Sequence, residues 1–180
     1  MTKSLTLLLV LLLVFTKIYS EEKSGFGFGT RIGSYQNNDL DFDIDIPGIN
    51  LEYFTYEFEE DSLDRDALSY RKHETNYPYS INYQALMYDA SWDIFNFDLG
   101  NIYSGFLFNL GFGISTMERI NVVKYKAYGF SNHFGLVVPI IYNSGDLIIG
   151  YQFVINILPT SWIEGNNLVF PQEHTILISF

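Results

Sequence analysis

The chain has 180 residues, with 21 Asp and Glu against 10 Lys and Arg, which gives a formal net charge of −11. This charge excludes nucleic acid as a natural partner and disfavours electrostatic binding to an anionic lipid surface. The chain has no cysteine and hence no disulfide or thiol redox chemistry, and its aromatic content of 18% is high for a soluble domain.

Residues 1–20 have the parts of a secretory signal peptide. Lys3 supplies a positive charge, residues 5–15 are almost wholly apolar, and the small residue Ser20 precedes two glutamates. The apolar run is too short to cross about 30 Å of hydrocarbon as a helix, which argues against an uncleaved anchor. We therefore expect a signal peptide over residues 1–20, cleaved near Ser20, and one exported domain over residues 21–180.

The first two segments of that domain alternate with the period of a strand. In residues 24–35, large apolar side chains share one face, and glycines share the other with Arg31, a pattern that suits a narrow barrel. In residues 39–46, apolar side chains alternate with Asp41, Asp43 and Asp45. These carboxylates lack the spacing of an EF-hand, so we expect them to face a wet interior or an extramembrane surface, with no metal bound.

The next segments predict a turn, a strand and a loop. Pro47-Gly48 predicts a tight turn, and the aromatic residues 49–59 predict a strand after it. Residues 60–77 are the only long polar stretch, with weak helical spacing in part. We interpret them as a large surface loop in which His73-Glu74 is a solvated pair.

The remaining segments predict five strands, over residues 79–97, 102–115, 122–142, 147–158 and 168–180, with a bend near Ala90 in the first. Short turns are expected at residues 98–101 and 143–146. The outward, lipid-facing side chains are predicted to be Phe106, Phe108, Leu110, Phe112, Phe134, Leu136, Val138, Ile149, Phe153 and Ile155, while Gln152 faces inward.

The last strand ends on Phe180, and this resembles the C-terminal signal strand of bacterial outer-membrane barrels. With the leader, the F-G-F-G first strand and the alternating strands, the arrangement resembles small eight-stranded outer-membrane barrels of the OmpA/OmpX type. It is also similar to uncharacterised small surface barrels of spirochaetes. Such a barrel closes by pairing its last strand with its first, so that no edge is left in lipid.

The resemblance implies an all-β, eight-stranded, antiparallel up-and-down transmembrane barrel in the outer membrane of a Gram-negative-type envelope. It implies a structural, surface-interaction or adhesion role, exposure of the polar loop over residues 60–77, and no cofactor. An eight-stranded barrel is filled by its own side chains, so a general pore is disfavoured. The expected partners are membrane lipid, the outer-membrane assembly machinery that reads Phe180, and an extracellular host or surface partner.

Arg31 is the one charged residue on the inward face of the first strand. Its neighbours are expected to be the strand with Asp43 and Asp45 on one side and the strand with Glu173 on the other. We therefore predict that Arg31 pairs with one or more of these carboxylates inside the barrel, because its planar fork suits a carboxylate partner.

Two alternatives stay open. Residues 113–117 and 129–133 approach the G-x-S-x-G pattern of lipases but lack its second glycine. In the latter, Ser131 and His133 share one face, and Glu173 could join them, so a lipid-ester hydrolase is the first alternative. The second is a soluble, lipocalin-like protein that binds an apolar ligand.

Overall fold

The computed structural model describes residues 23–37, 44–58, 62–76, 80–120, 124–156, 161–163 and 166–179. The signal peptide predicted over residues 1–20 lies outside these ranges, as do Asp41, Asp43 and Phe180. Within the described ranges all regular structure is β. The strands are β1 (Lys23–Asn37), β2 (Ile44–Phe58), β3 (Leu63–Thr75), β4 (Ser80–Asp98), β5 (Ile102–Ile120), β6 (Lys124–Asn143), β7 (Ile148–Asn156), β8 (Ser161–Ile163) and β9 (Asn166–Ser179).

These strands form one closed antiparallel sheet. From β1 to β7 each strand pairs with the next one along the chain, and β1 also pairs with β9. The short β8 pairs with β6 and β9, as β7 does, so β7 and β8 together fill one position between them. The sheet therefore has eight positions, and the predicted eight-stranded up-and-down barrel is confirmed.

We call the end of the barrel that carries Lys23 and Ser179 the terminal end, and the opposite end the distal end. The side chain of Ser179 donates a hydrogen bond to the carbonyl of Ser24, which ties the two ends of the described chain together. The predicted short turns lie at the terminal end and turn on Gly100 and Gly145, whose φ angles are 81° and 91°. Glycine takes such angles without the steric penalty that a Cβ would bring.

Two predictions for the second and third strands are wrong. Pro47 and Gly48 lie within β2 and do not form a turn, since β2 pairs with β1 without a break from Ile44 to Tyr56. Pro47 fits a strand because β3 begins to pair with β2 only at Gly48, so no ladder bond to β3 is needed there. The polar stretch predicted as a surface loop is mostly strand β3, bonded to β2 on one side and β4 on the other.

The continuity of β2 also reverses the predicted orientation of Asp45. Gly48 lies opposite the inward Arg31, so the inward residues of β2 include Ile46 and Asn50, both fully buried. Asp45 is exposed, contrary to the prediction that it lines the interior. Alternation had placed the apolar Ile46 outside, on the assumption that apolar side chains face outward. The interior of this barrel also contains apolar side chains, so polarity alone does not decide the orientation of β2.

The other strands alternate as predicted. No residue of the predicted outward set is buried, and Phe112 is 61% exposed. β4 pairs with β5 without a break at Ala90, where a bend was predicted. Its register breaks three residues further on, between Asp93 and Phe95, which leaves Ile94 as an extra outward residue. The interior of the terminal half is apolar, and its buried cluster consists of Phe54, Tyr56, Leu63, Ala67, Leu107, Val137, Ile141, Ile148, Val154 and Leu177.

Candidate functional site: the polar layer inside the barrel

A layer of charged side chains crosses the interior beyond the apolar cluster. Along β2 the inward residues run from Ile46 through Asn50 and Glu52 to Phe54, so that apolar residues lie on both sides of the polar ones. The described part of the layer contains three arginines and three carboxylates, each at most 4% exposed: Arg31, Arg65, Arg71, Glu52, Asp89 and Glu173. Formal charge is therefore balanced within this set, which buried ions require.

Arg31 and Glu173 join the first and last strands. They are directly opposite each other in the β1–β9 register, and Arg31 Nε lies 2.9 Å from Glu173 Oε2. This contact places Arg31 beside one of the three carboxylates expected for it. Because β1 and β9 are the strands that close the sheet, the ion pair lies across the closure.

Arg71 of β3 lies at the centre of the layer. Its Nη2 is 3.0 Å from Asp89 Oδ2 on β4 and 3.6 Å from Glu173 Oε2 on β9. Its Nη1 is 3.1 Å from His133 Nδ1 on β6. One guanidinium thus connects strands from opposite sides of the barrel, which only a narrow interior permits.

A second branch surrounds Glu52. Arg65 Nη2 donates to Glu52 Oε1 at 2.8 Å, and Gln152 Nε2 donates to the same oxygen at 3.0 Å. The hydroxyl of Tyr56 donates to Gln152 Oε1 at 3.1 Å. Asn50 Nδ2 donates to both Glu52 and Glu173, so the two branches form one network. Gln152 is fully buried.

Donors and a carboxylate surround the ring of His133. Arg71 has only donors, so Nδ1 of His133 accepts from it, while Nε2 lies 2.6 Å from Asp89 Oδ1. Asn109 Nδ2 lies 2.8 Å from the same Nε2. The ring nitrogen that a general base would use is therefore occupied by a guanidinium.

The predicted hydrolytic set is not assembled by these contacts. The hydroxyl of Ser131 lies 2.6 Å from that of Tyr83, and Glu173 is paired with arginines. A triad needs the serine hydroxyl to donate to the histidine and the histidine to donate to the acid. Ser131, His133 and Glu173 are all buried, as constituents of the polar layer.

Sequence reasoning missed four of the six ionised residues of the layer, which are Glu52, Arg65, Arg71 and Asp89. It also placed His73 in solvent, whereas His73 is fully buried with Nδ1 3.3 Å from the carbonyl oxygen of Ile46. Alternation in residues 63–75 is the feature from which these inward residues could have been predicted. It is hard to detect because both faces of β3 carry charges, so that no hydrophobic period is visible.

Among the described residues, no cluster of three or more His, Asp or Glu side chains has the arrangement of a metal site. The described part of the chain contains no helix of the length and hydropathy needed to cross a membrane.

No protein-family model and no curated protein matches this sequence. Solved structures of similar shape include Ail, the attachment invasion locus protein of Yersinia pestis, with 13% identity and a TM-score of 0.48 over 89% of this chain and 98% of that chain. Neisserial surface protein A, NspA, has 11% identity and a TM-score of 0.49 over 89% of this chain and 100% of that chain. Ail in complex with the heparin analogue sucrose octasulfate has 13% identity and a TM-score of 0.46 over 89% and 98%.

Proposed function

We propose that this chain is an integral outer-membrane β-barrel with a structural or surface-interaction role, adhesion included. The observation that carries this proposal is the inverted polarity of the barrel. Ions and amides fill its middle, while many of its large apolar side chains are on the outside. The described strands also close into one sheet without a free edge strand, a condition that the hydrocarbon of a bilayer imposes.

The outer wall is apolar over contiguous stretches. On β5 the outward residues Phe106, Leu110 and Phe112 are 40% to 61% exposed, and on β1 Phe26 is 67% exposed. Trp92, Phe95 and Phe97 lie near the terminal end of β4, where aromatic rings of a membrane barrel meet the interface. A surface of this extent is a membrane or partner site. The outward set predicted from the sequence therefore faces lipid in this proposal.

The interior argues against a pore and against a lipocalin-like binder. An apolar ligand needs an apolar cavity, whereas the middle of this barrel holds three ion pairs with contacts of 2.8 to 3.0 Å. The same side chains, together with the apolar cluster of the terminal half, fill the lumen that an open channel would need.

We call the outward residues near the distal end of β5 and β6 the distal wall. This wall, and not the loop predicted over residues 60–77, is the exposed surface in the proposal. On β5 the outward residues change from Ile114 to Thr116 and Glu118, and the strand continues to Ile120. Lys126 on β6 lies 3.2 Å from Glu118 and 5.5 Å from the ring of Tyr128. We propose that this mixed polar and aromatic wall stands above the membrane and contacts extracellular partners.

The remaining parts of the proposal concern export and assembly. Residues 1–20 direct export and are cleaved near Ser20. The assembly machinery of the outer membrane reads the last strand, with Phe180 as its signal. We expect a chain that ends at Ser179 to insert poorly, because its signal is incomplete. Normal insertion of that chain would contradict the assigned role of Phe180.

Cysteine labelling of intact cells tests the location and the orientation together, since the chain has no cysteine of its own. We expect Glu118→Cys, on the distal wall, to react with a membrane-impermeant maleimide on intact cells. Asp98→Cys, exposed at the terminal end, should react only after the outer membrane is permeabilised. Release of the protein without detergent, or equal labelling of both sites on intact cells, would overturn the proposal.

A further inference from the structure

The apolar outer wall is much shorter on β3 than on β5, which lies two positions further around the barrel. On β5 the outward residues from Ile102 to Ile114 are apolar except Ser104, and they cover about 30 Å along the barrel axis at the usual strand rise and tilt. On β3 only Leu68 and Tyr70 lie between the outward Asp66 and Lys72. Even the height between these two polar residues is only about 15 Å at the same rise and tilt, half of a bilayer core.

A groove of 680 Å³ lies in this short apolar region, on the outside of the barrel. It crosses five neighbouring strands, β9, β1, β2, β3 and β4, and at the usual spacing of strands it is about 19 Å long. Its outward lining side chains are Phe26, Phe28, Leu51, Tyr53, Leu68, Tyr70, Leu86, Ile176 and Ile178. One leaflet holds about 15 Å of hydrocarbon, so the groove has the length of one tilted acyl chain.

Polar side chains border the groove on both sides. On the distal side, the register aligns one outward row in which Ile49 is the apolar member and the others are polar: His174, Thr30, Ile49, Lys72 and Gln84. Glu74 lies one position further toward the distal end, and its carboxylate is 2.8 Å from the ammonium of Lys72. On the terminal side lie Thr55 and Asp66, and the hydroxyl of Tyr88 donates to Asp66 at 2.7 Å.

The order of these charges selects a class of lipid. The cation Lys72 borders the groove, and the anion Glu74 lies further toward the distal end. In a zwitterionic phospholipid the phosphate lies next to the acyl chains and the ammonium lies further out. Each charge of the protein therefore has the opposite sign to the head-group charge at the same level. The terminal side of the same wall carries the outward carboxylates Glu57, Asp64 and Asp66, which repel an anionic head group. We infer that the groove binds one acyl chain of a zwitterionic phospholipid in the distal leaflet, with its phosphate at Lys72 and its ammonium at Glu74.

This inference rests on the proposed membrane location, and the experiment separates the two. The barrel is folded in detergent, and folding is read from the faster migration of the unheated protein on a gel. Native mass spectra are then recorded during titration with phosphatidylethanolamine or with phosphatidylglycerol of the same acyl chains. We expect one phosphatidylethanolamine to bind, with an occupancy several-fold above that of phosphatidylglycerol.

Two variants locate the lipid. Leu51→Trp fills the groove and should reduce the lipid adduct at least tenfold, while Leu110→Trp, a matched outward leucine on β5, should keep it. The exposed fractions of these two leucines are 43% and 40%. The double variant Lys72→Met, Glu74→Gln leaves the groove open and should remove the preference for the zwitterionic lipid.

Several results would overturn the site. These are no adduct on the folded wild type, equal adducts on Leu51→Trp and Leu110→Trp, a preference for phosphatidylglycerol, or a dimer mass that Leu51→Trp removes and Leu110→Trp keeps. A wild-type chain that does not fold in detergent would overturn both the lipid site and the membrane barrel.

Discussion

Arg71 shows what single residues contribute to this fold. Its guanidinium contacts two buried carboxylates and one histidine from three other strands. A buried ion pair is weak evidence for net stability, because desolvation opposes the attraction of the charges. Removal of one charge from the pair is destabilising, because its partners then stay buried without a compensating charge. The polar layer therefore makes the barrel sensitive to the loss of single charges.

We expect Arg71→Met to lower the free energy of unfolding by roughly 3–5 kcal/mol, because Asp89 and Glu173 would face each other without the guanidinium between them. Urea unfolding in lipid vesicles measures this change. Lys126→Met, which breaks a half-exposed pair with Glu118, should cost about 0–1 kcal/mol and serves as the control. Equal stabilities of the two variants would show that the ion network contributes nothing specific.

Gly111 tests how tightly the polar layer is packed. A Cβ at this position would lie 2.3 Å from His133 Cε1 and 2.4 Å from Asp89 Oδ1. We expect Gly111→Ala to destabilise the barrel by about 1–3 kcal/mol, as overpacking does. At the inward Gly150 the nearest atom would be 3.1 Å away, so Gly150→Ala should cost less in the same unfolding experiment. The reverse order would contradict the described position of His133.

At the scale of elements, β3 is the most informative strand. Its inward face carries Arg65, Ser69 and Arg71, and its outward face carries charges at both ends. Such a strand has no hydrophobic face of its own, and it is stable because β2 and β4 satisfy its backbone on both sides. Local composition predicts a loop for this stretch, and only the neighbouring strands make it a strand.

Proline substitution distinguishes a strand from a loop at this place. Leu68→Pro removes an N–H from a strand that is bonded on both sides, so we expect it to abolish the folded, heat-modifiable form. Leu68→Ala keeps the N–H and should leave that form on the gel. A folded Leu68→Pro barrel would mean that residues 63–75 do not form a strand paired with both β2 and β4.

At the scale of the whole molecule, charged and amide side chains lie in the middle of the interior and many large apolar side chains lie on the outside. This is the reverse of the distribution in a soluble globular protein. The distribution is uneven around the circumference, since the apolar wall is tall on β5 and short on β3. In the proposed membrane location, the hydrocarbon is expected to be thinner beside β3 than beside β5. The groove across β9 and β1–β4 lies where this thickness is least.

The tall apolar wall of β5 predicts that the loss of stability caused by an introduced charge depends on its position along the strand. Phe108 is near the middle of the apolar residues of β5, with its ring 4.8 Å from that of Phe134. We expect Phe108→Arg to lower the free energy of unfolding in bilayers by about 2–4 kcal/mol. Thr116→Arg, outward on the same strand beyond the apolar wall, should cost about 0–1 kcal/mol. Equal costs at the two sites would place this wall outside the hydrocarbon.

The sequence by itself predicted a closed eight-stranded barrel and the orientation of most strands, although the count is right only because two errors cancel: the pattern divides β2 in two and predicts a loop in place of β3. Alternation in β1, β5, β7 and β9 sufficed, because outward and interior positions differ strongly in polarity there. It also predicted Glu173 as a candidate partner of Arg31. Only the tertiary structure decided the course of residues 44–75 and the composition of the polar layer. Strand pairing fixes which residues of β2 and β3 face inward, and charges on both faces hide that orientation from any pattern read along the chain alone.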